Sequence, residues 1–214
     1  MAAMGQSGEP EGKRTHELRV LATRFGRELD AATLAGLSRY VDLLHTWNAR
    51  INLTGARTPA SIIEDQLPDS FALAGLVPEG VRLVDVGSGG GLPALPFALL
   101  RPDVRLTLAE PRCRRRAFLA TAVRELEVRA ELLADRADDL PAGTFDAAGA
   151  RAVFPPGEWL ERGARLVVPG GSVLLFLGAD SDWQPPAGVT VAGDIRYQAG
   201  ASGHRLVAAL PVRA

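Results

Sequence analysis

Between residues 83 and 93 the chain reads Leu83-Val84-Asp85-Val86-Gly87-Ser88-Gly89-Gly90-Gly91-Leu92-Pro93. A buried strand that runs into a glycine turn and then a helix start can seat a flat ligand directly on its backbone, because the missing side chains leave room. Pro93 suits a first helical turn, where its absent N–H costs nothing. The dinucleotide pattern G-x-G-x-x-G fits poorly: counted from Gly87 its last member falls on Leu92, and counted from Gly89 on Ala94. The spacing Asp85, Gly87, Gly89, Gly91 fits Asp-x-Gly-x-Gly-x-Gly better. A carboxylate there complements the sulfonium and ammonium of S-adenosylmethionine and repels a diphosphate. The plainer reading is that Asp85 caps the turn. Glu110 closes the next apolar run, where an acid can accept hydrogen bonds from both hydroxyls of a ribose. Asp135, Asp138 and Asp139 follow the third such run; these acids, or the backbone of Ala137 and Asp138, can hold an exocyclic amine of adenine, and the alternative is a plain acidic loop.

The elements that would carry these residues are legible from periodicity. Leu18, Leu21, Ala22, Phe25 and Leu29 recur at helical spacing. A second helix follows Asp30 as its cap, with Leu34, Leu37, Val41 and Leu44 on one face. A third helical stretch covers 61–76 and is interrupted at Pro68. From residue 81 the grammar changes to short β-branched runs alternating with helices: strands at 81–86, 104–109, 130–134, 145–150 and 172–177, helices from 92, at 114–127 and at 157–166. That alternation predicts a parallel sheet covered on both faces. Runs at 189–197 and 205–210 predict an antiparallel pair at the sheet edge. The expected organisation is a disordered tail over 1–14, a helical cap over 15–77 and a Rossmann-like α/β domain over 78–214, with a mostly parallel seven-stranded sheet.

Composition bounds the partners. No apolar run is long enough to cross a bilayer, and the polar, glycine-rich start lacks a secretory core. One cysteine, Cys113, cannot form an internal disulfide, so a cytoplasmic location is expected and the thiol is read as inert. The net charge of −1 argues against a wholly basic nucleic-acid binder. Locally the balance differs, since Arg112, Arg114, Arg115 and Arg116 crowd the start of one helix. Phosphate binding is the expected role, and a solvated helix start is the alternative. The three histidines are scattered, and no metal is expected. Trp47 is read as packing, in preference to stacking on a flipped base. Asn48 and Asn52, at i and i+4, are expected to share a polar cluster with Asp69 and to face RNA.

Four segments together resemble the bacterial small-subunit (16S) rRNA guanine-N7 methyltransferases, the glucose-inhibited division protein B family. They are the W-N-x-x-x-N-L-T segment Trp47 to Thr54, the pair Asp69-Ser70, the loop from Asp85 to Pro96 with its Gly-Leu-Pro-x-x-Pro tail, and Phe145-Asp146 leading to Arg151-Ala152. The resemblance implies a class I methyltransferase fold, S-adenosylmethionine as cofactor, and 16S rRNA of the small subunit or its precursor as substrate. It implies that Gly87 and Leu92 touch the cofactor, Glu110 holds its ribose, and Ala137 and Asp138 flank its adenine. It places Arg151 at the cofactor and target pocket and Arg114 near the reacting base. The chain departs from the family pattern at Gln66, where His is usual, at Pro68 for Leu, at Ala150 for Ser and at Leu177 for Lys. A silent RNA-binding relative and an NAD-dependent oxidoreductase stand as rival expectations, with a monomer as the default. N7 of guanine carries a lone pair and no proton, so its methylation needs no general base and rests on alignment. An arginine, Arg151 or Arg114, aimed at O6 alone would orient the base without blocking N7.

Overall fold

Alternation along the strands decides which way each side chain faces. Leu83 and Val84, or Leu174 and Leu175, are adjacent in sequence yet belong to two separate apolar clusters, one on each face of a sheet. In the computed structural model, which describes residues 11–211, that sheet has seven strands in the order β3-β2-β1-β4-β5-β7-β6. They are β1 (Arg82–Val86), β2 (Arg105–Ala109), β3 (Ala130–Leu133), β4 (Phe145–Ala150), β5 (Val167–Gly178), β6 (Val189–Ala199) and β7 (Ser202–Pro211). β1 to β5 pair in parallel, and the β6–β7 hairpin joins antiparallel through β7. This is the mostly parallel α/β sheet with an antiparallel edge that the sequence predicts. The chain leaves β1 toward β2 on one side and later returns to β4 on the other. The crevice beyond the carboxyl ends of β1 and β4 is therefore the switch point where such folds bind ligands. No helix of the described residues is long and apolar enough to cross a membrane.

One sheet face carries α1 (Glu11–Arg24), α2 (Ala31–Ile51), α4 (Pro68–Leu76), α5 (Ala94–Leu100) and α6 (Cys113–Glu125), all contributing to one cluster with Leu83, Leu106, Leu108 and Leu206. The core thus runs unbroken across residue 77. The other face is covered chiefly by α7 (Pro156–Leu166), whose buried Trp159 donates its indole N–H to the Leu174 carbonyl at 3.0 Å. Asp30 caps α2 by accepting from the Thr33 amide at 2.7 Å, as its position predicts.

The structure revises several expectations. The tail expected over 1–14 falls outside the described residues up to residue 10, but residues 11–14 are helical. Arg14 is buried and pairs with Asp42 of α2 at 2.5 Å, which draws the start of α1 into the fold. The stretch 61–76 is not one interrupted helix. A short α3 (Pro59–Ser61) passes into a π-helical turn, Ile62–Gln66, before α4. Pro68 has no N–H to donate, and the Leu67 amide reaches back five residues to Ile62 at 3.1 Å. β5 begins before the expected residue 172, with Gly170 and Gly171 inside it at a register shift opposite Phe145 and Ala147.

Asn48 is the largest correction. It does not meet Asp69. It lies buried at the end of α2, where Oδ1 accepts from the amides of Leu53 (2.6 Å) and Thr54 (2.9 Å), and Nδ2 donates to the carbonyls of Thr54 (3.0 Å) and Ala56 (2.8 Å). All of its hydrogen-bonding capacity is used in folding its own loop, which excludes a contact with RNA. Asn52 is the left-handed residue ending that helix, with φ of 50°, and its side chain accepts from Arg57 at 3.3 Å. Replacing Asn48 by Ala leaves four backbone groups without their partner. At a net value of about 0.5–1.5 kcal/mol per hydrogen bond, N48A is expected to lose on the order of 2–6 kcal/mol of stability. Urea unfolding checks this; an unchanged midpoint would show that the loop does not depend on Asn48.

Candidate functional site: two clefts that meet beside Arg151

The glycine turn is held from three directions. From β2, the Ala109 carbonyl accepts from the Gly87 amide at 2.8 Å. From the end of the same strand, Glu110 bridges the Gly89 amide (2.9 Å, Oε2) and the Arg112 amide (2.8 Å, Oε1). From the helices above, the Tyr40 hydroxyl donates to the Gly90 carbonyl at 2.7 Å, and the Ser70 hydroxyl donates to the Pro93 carbonyl at 2.9 Å. Gly87 has φ of +74°, and a Cβ there would lie 2.7 Å from Val153, so both backbone and space require glycine. Gly91, at φ +72°, is just as tightly confined by Leu95. Tyr40 gives no sequence signal, because its partner is a backbone atom far along the chain; Ser70 stands out only as half of the Asp69-Ser70 pair, with no role attached to it.

Around this turn opens a cleft of about 720 Å³ lined by Gly87, Glu110, Arg112, Arg115, Ala137 and Asp138 among others. It has the character of a cofactor site. Asp85 lies beneath the turn, only 3 % exposed, and its Oδ2 has no hydrogen-bond partner. Burial pushes the Asp85 carboxyl up to about 7, opposed by the Ser88 hydrogen bond and the charge of Arg151, with Glu110 adding a further upward push. A buried acid left without a partner fits a ligand that brings positive charge, and a diphosphate would worsen its position. Glu110 is 2 % exposed and spends one lone pair of each oxygen on the backbone, leaving acceptor capacity on the cleft side. Asp138 turns its carboxylate to Arg162, which leaves that side chain committed to an ion pair at the cleft wall. Arg162 also stands 5.0 Å over the Phe154 ring. It lines the cleft and was not foreseen. Leu92 is buried in the core and Gly91 packs on Leu95, so neither side lines the cleft as expected for a direct contact.

The arginine run divides. Arg112 and Arg115 line the cofactor cleft, with an Arg115 nitrogen 3.5 Å from where a Gly89 Cβ would be. Arg116 donates to the carbonyls of Glu110 (3.1 Å) and Pro111 (3.0 Å). Arg114 is exposed and lines neither cleft, so the structure does not bring it to Arg151. Successive helix positions turn by about 100°, and the three consecutive arginines 114–116 cannot share a face. Trp47 packs edge-on against Phe118 of α6, as preferred.

A second, more open cleft of about 990 Å³ adjoins the first; Ala152 lines both. Arg151 lines this second cleft, one residue past the end of β4. Its guanidinium is fixed by Asp69 (2.7 Å) and Gln66 (2.9 Å). Asp69 also accepts from the Tyr197 hydroxyl (2.8 Å) and meets His204 Nδ1 (2.9 Å). Burial alone would raise the Asp69 carboxyl, but the His204 hydrogen bond, the Arg151 charge and the Tyr197 hydroxyl bring it below the usual carboxylate value. Ala152 holds φ of +56°, which is strained for a residue with a Cβ and typical of functional junctions. Among the described residues no group of His, Cys, Asp or Glu is arranged to hold a metal ion.

Comparison with known proteins is consistent with this geometry. Residues 33–184 match the family described as GidB, rRNA small subunit methyltransferase G. A ribosomal RNA small subunit methyltransferase G from Anaeromyxobacter dehalogenans (strain 2CP-C) is 38% identical over 162 residues, covering 74% of this chain and 75% of the relative. One from Xanthomonas oryzae pv. oryzae (strain KACC10331 / KXO85) is 38% identical over 154 residues, covering 71% and 72%. Among solved structures, a SAM-dependent methyltransferase from Aquifex aeolicus superposes with a TM-score of 0.53 at 20% identity, covering 70% of this chain and 93% of that one. M. jannaschii TYW2 in complex with AdoMet gives 0.55 at 13%, covering 75% and 78%. These two show the shared fold. No comparison supports an oxidoreductase or a silent relative.

The raised Asp85 sets the sign of a pH effect. Below about 7 its carboxyl is protonated in the free protein and offers no charge to a sulfonium; above it the carboxylate does. The apparent Kd for S-adenosylmethionine is therefore expected to rise about tenfold per pH unit as pH falls below that point, and to lose this dependence in D85N. Calorimetric titration across the range is the check, and a flat profile in the parent protein would remove Asp85 from cofactor recognition.

Proposed function

We propose, from the premise that this chain belongs to the small-subunit rRNA methyltransferase G family, that it methylates N7 of a guanine in 16S rRNA at the junction of the two clefts. Family membership makes it an S-adenosylmethionine-dependent rRNA methyltransferase. The target atom and the residue roles are our reading. The observation that carries it is the shared wall at Ala152, between a cleft at the glycine turn, beneath which Asp85 Oδ2 has no partner, and the cleft where Arg151 is fixed.

S-adenosylmethionine, when bound, supplies an electrophilic methyl group on a sulfonium. The protein's part is placement. Asp85 offers the buried negative charge, Glu110 its remaining lone pairs to the ribose hydroxyls, and the backbone of Ala137 and Asp138 the adenine contacts. Gly87, Gly89 and Gly91 keep the turn open and pinned. Arg151 cannot swing, because Asp69 and Gln66 hold two of its nitrogens; its remaining N–H groups are suited to guanine O6, which leaves N7 clear for in-line approach. Alignment of this kind can contribute about 7–11 kcal/mol of the barrier. Arg112 and Arg115 serve the cofactor side, while exposed Arg114, with Asn52 and Arg57 nearby in sequence to the α2 end, serves RNA phosphate on the outer face. We read residues 11–77 as the RNA-facing cap on a methyltransferase domain of 78–214, acting as a cytoplasmic monomer.

The test is methyl transfer from labelled S-adenosylmethionine to small subunits that lack the modification, with the product nucleoside identified by mass spectrometry. One N7-methylguanosine per subunit is expected. Arg151→Lys keeps the charge and loses the fork, and its kcat/KM is expected to fall about 10²-fold, the scale of an ångström-sized misplacement. Methylation of any other atom, or an unimpaired R151K, would overturn this assignment.

A further inference from the structure

The second cleft contains a histidine for which the sequence gives no cue. His204 sits on β7, opposite Gly178 of β5 and Tyr197 of β6. Its Nδ1 lies 2.9 Å from Asp69 Oδ1, and its ring meets Tyr197 edge-on at 5.7 Å. The side chain is partly exposed and lines the cleft beside Arg151, and Nε2 has no partner among the described residues. The groups around it are Asp69 from α4, Arg151 after β4, Tyr197 from β6, Asp180 at the cleft rim after β5, and Arg196, whose guanidinium is tied to the Ala179 carbonyl. One buried carboxylate thus faces two basic side chains.

We propose that His204 is a phosphate-binding residue of the target cleft, with Nδ1–H latched to Asp69 and Nε2–H donated to a phosphate oxygen of the RNA strand entering beside Arg151. This rests on reading that cleft as the place where RNA enters. The backbone is a better destination than the base. Methyl transfer leaves guanine cationic, so a second cation against the base would oppose the product, whereas against phosphate it does not. The latch also fixes the condition for binding. With Nδ1–H committed to Asp69, neutral imidazole presents Nε2 as a bare acceptor, which repels phosphate; one proton turns it into a donor. The Asp69 hydrogen bond raises the His204 pKa, against the lowering effects of burial and Arg151. The cationic form is therefore present at low pH and is lost as pH rises through that raised value.

The test compares wild type, His204→Gln and His204→Arg, measuring KM for undermodified small subunits from about pH 6 to about pH 9 and from about 50 to about 200 mM salt. H204Q is expected to raise KM several-fold at the acid end and to match wild type at the alkaline end. H204R should keep a low KM throughout. In H204Q the slope of log KM against log salt should be shallower by about 0.7, the share of one phosphate contact on a single strand. At any one pH, both kcat and S-adenosylmethionine affinity should be the same in all three. The proposal is overturned by a wild-type KM in H204Q at every pH, by equal impairment of both variants, or by a KM effect with an unaltered salt slope, which would place the contact on the base. If wild type transfers no methyl group at all, the function proposed above fails separately. Filter retention of the same subunits, read for the same pH and salt dependence, then decides the role of His204 by itself.

Discussion

Two carboxylates buried within one glycine turn set the terms for the whole site. Asp85 and Glu110 sit at the ends of neighbouring parallel strands, and the charge of Glu110 adds to the burial that disfavours ionisation of Asp85. Glu110 resolves its position internally, by accepting two backbone amides that also pin the turn. Asp85 does not, and its free oxygen remains a demand for positive charge. A turn that used both acids for its own hydrogen bonds would be more stable and would have nothing left for a cationic cofactor. The fold holds the two acids in place because β1 and β2 are each paired on both sides, β1 to β2 and β4, and β2 to β1 and β3.

The same logic explains why the helical segment before the sheet cannot be a loosely attached addition. Tyr40 and Ser70 reach down to carbonyls of the glycine turn, while Asp69, next to Ser70, reaches across to Arg151. One helix start therefore touches the end of the glycine turn and the second cleft through consecutive residues. Any shift of α4 relative to β1 would loosen the cofactor turn and the target-side arginine together, which couples the two halves of a group-transfer site mechanically.

The sheet was legible because its signal is local. Leu83 and Val84 alternate faces whatever else the chain does, and Asp30 caps α2 from three residues away. The glycine turn was legible because its geometry admits few residue types. What escaped depends on distance or on helix rotation. Asn48 looked like a surface polar residue, since nothing in its neighbourhood announces a loop that folds back onto it. The arginine run looked like one patch, but Arg116 turns inward while Arg114 remains outside. His204 lies 135 residues from Asp69, and only the hairpin that inserts β7 beside β5 brings them together. The start of α1 carries no local signal for a similar reason, because the Arg14–Asp42 pair that holds it spans two helices.

The departures from the family pattern look less disruptive once their surroundings are known. Gln66 offers Oε1 to Arg151, and an amide oxygen can fill the acceptor role there that an imidazole nitrogen would fill. Pro68 falls at the first turn of α4, where its missing N–H is absorbed by the preceding π turn. Leu177 removes a cation from the end of β5, yet the strand paired with that end carries His204 one position further along, opposite Gly178. A basic side chain thus lines the same cleft from the adjacent strand. The replacement differs in one physical respect: a lysine holds its charge across the physiological range, while an imidazole latched to Asp69 holds it conditionally. If the hairpin has taken over that task, substrate affinity in this protein has become sensitive to proton concentration where a lysine-bearing relative's would not be.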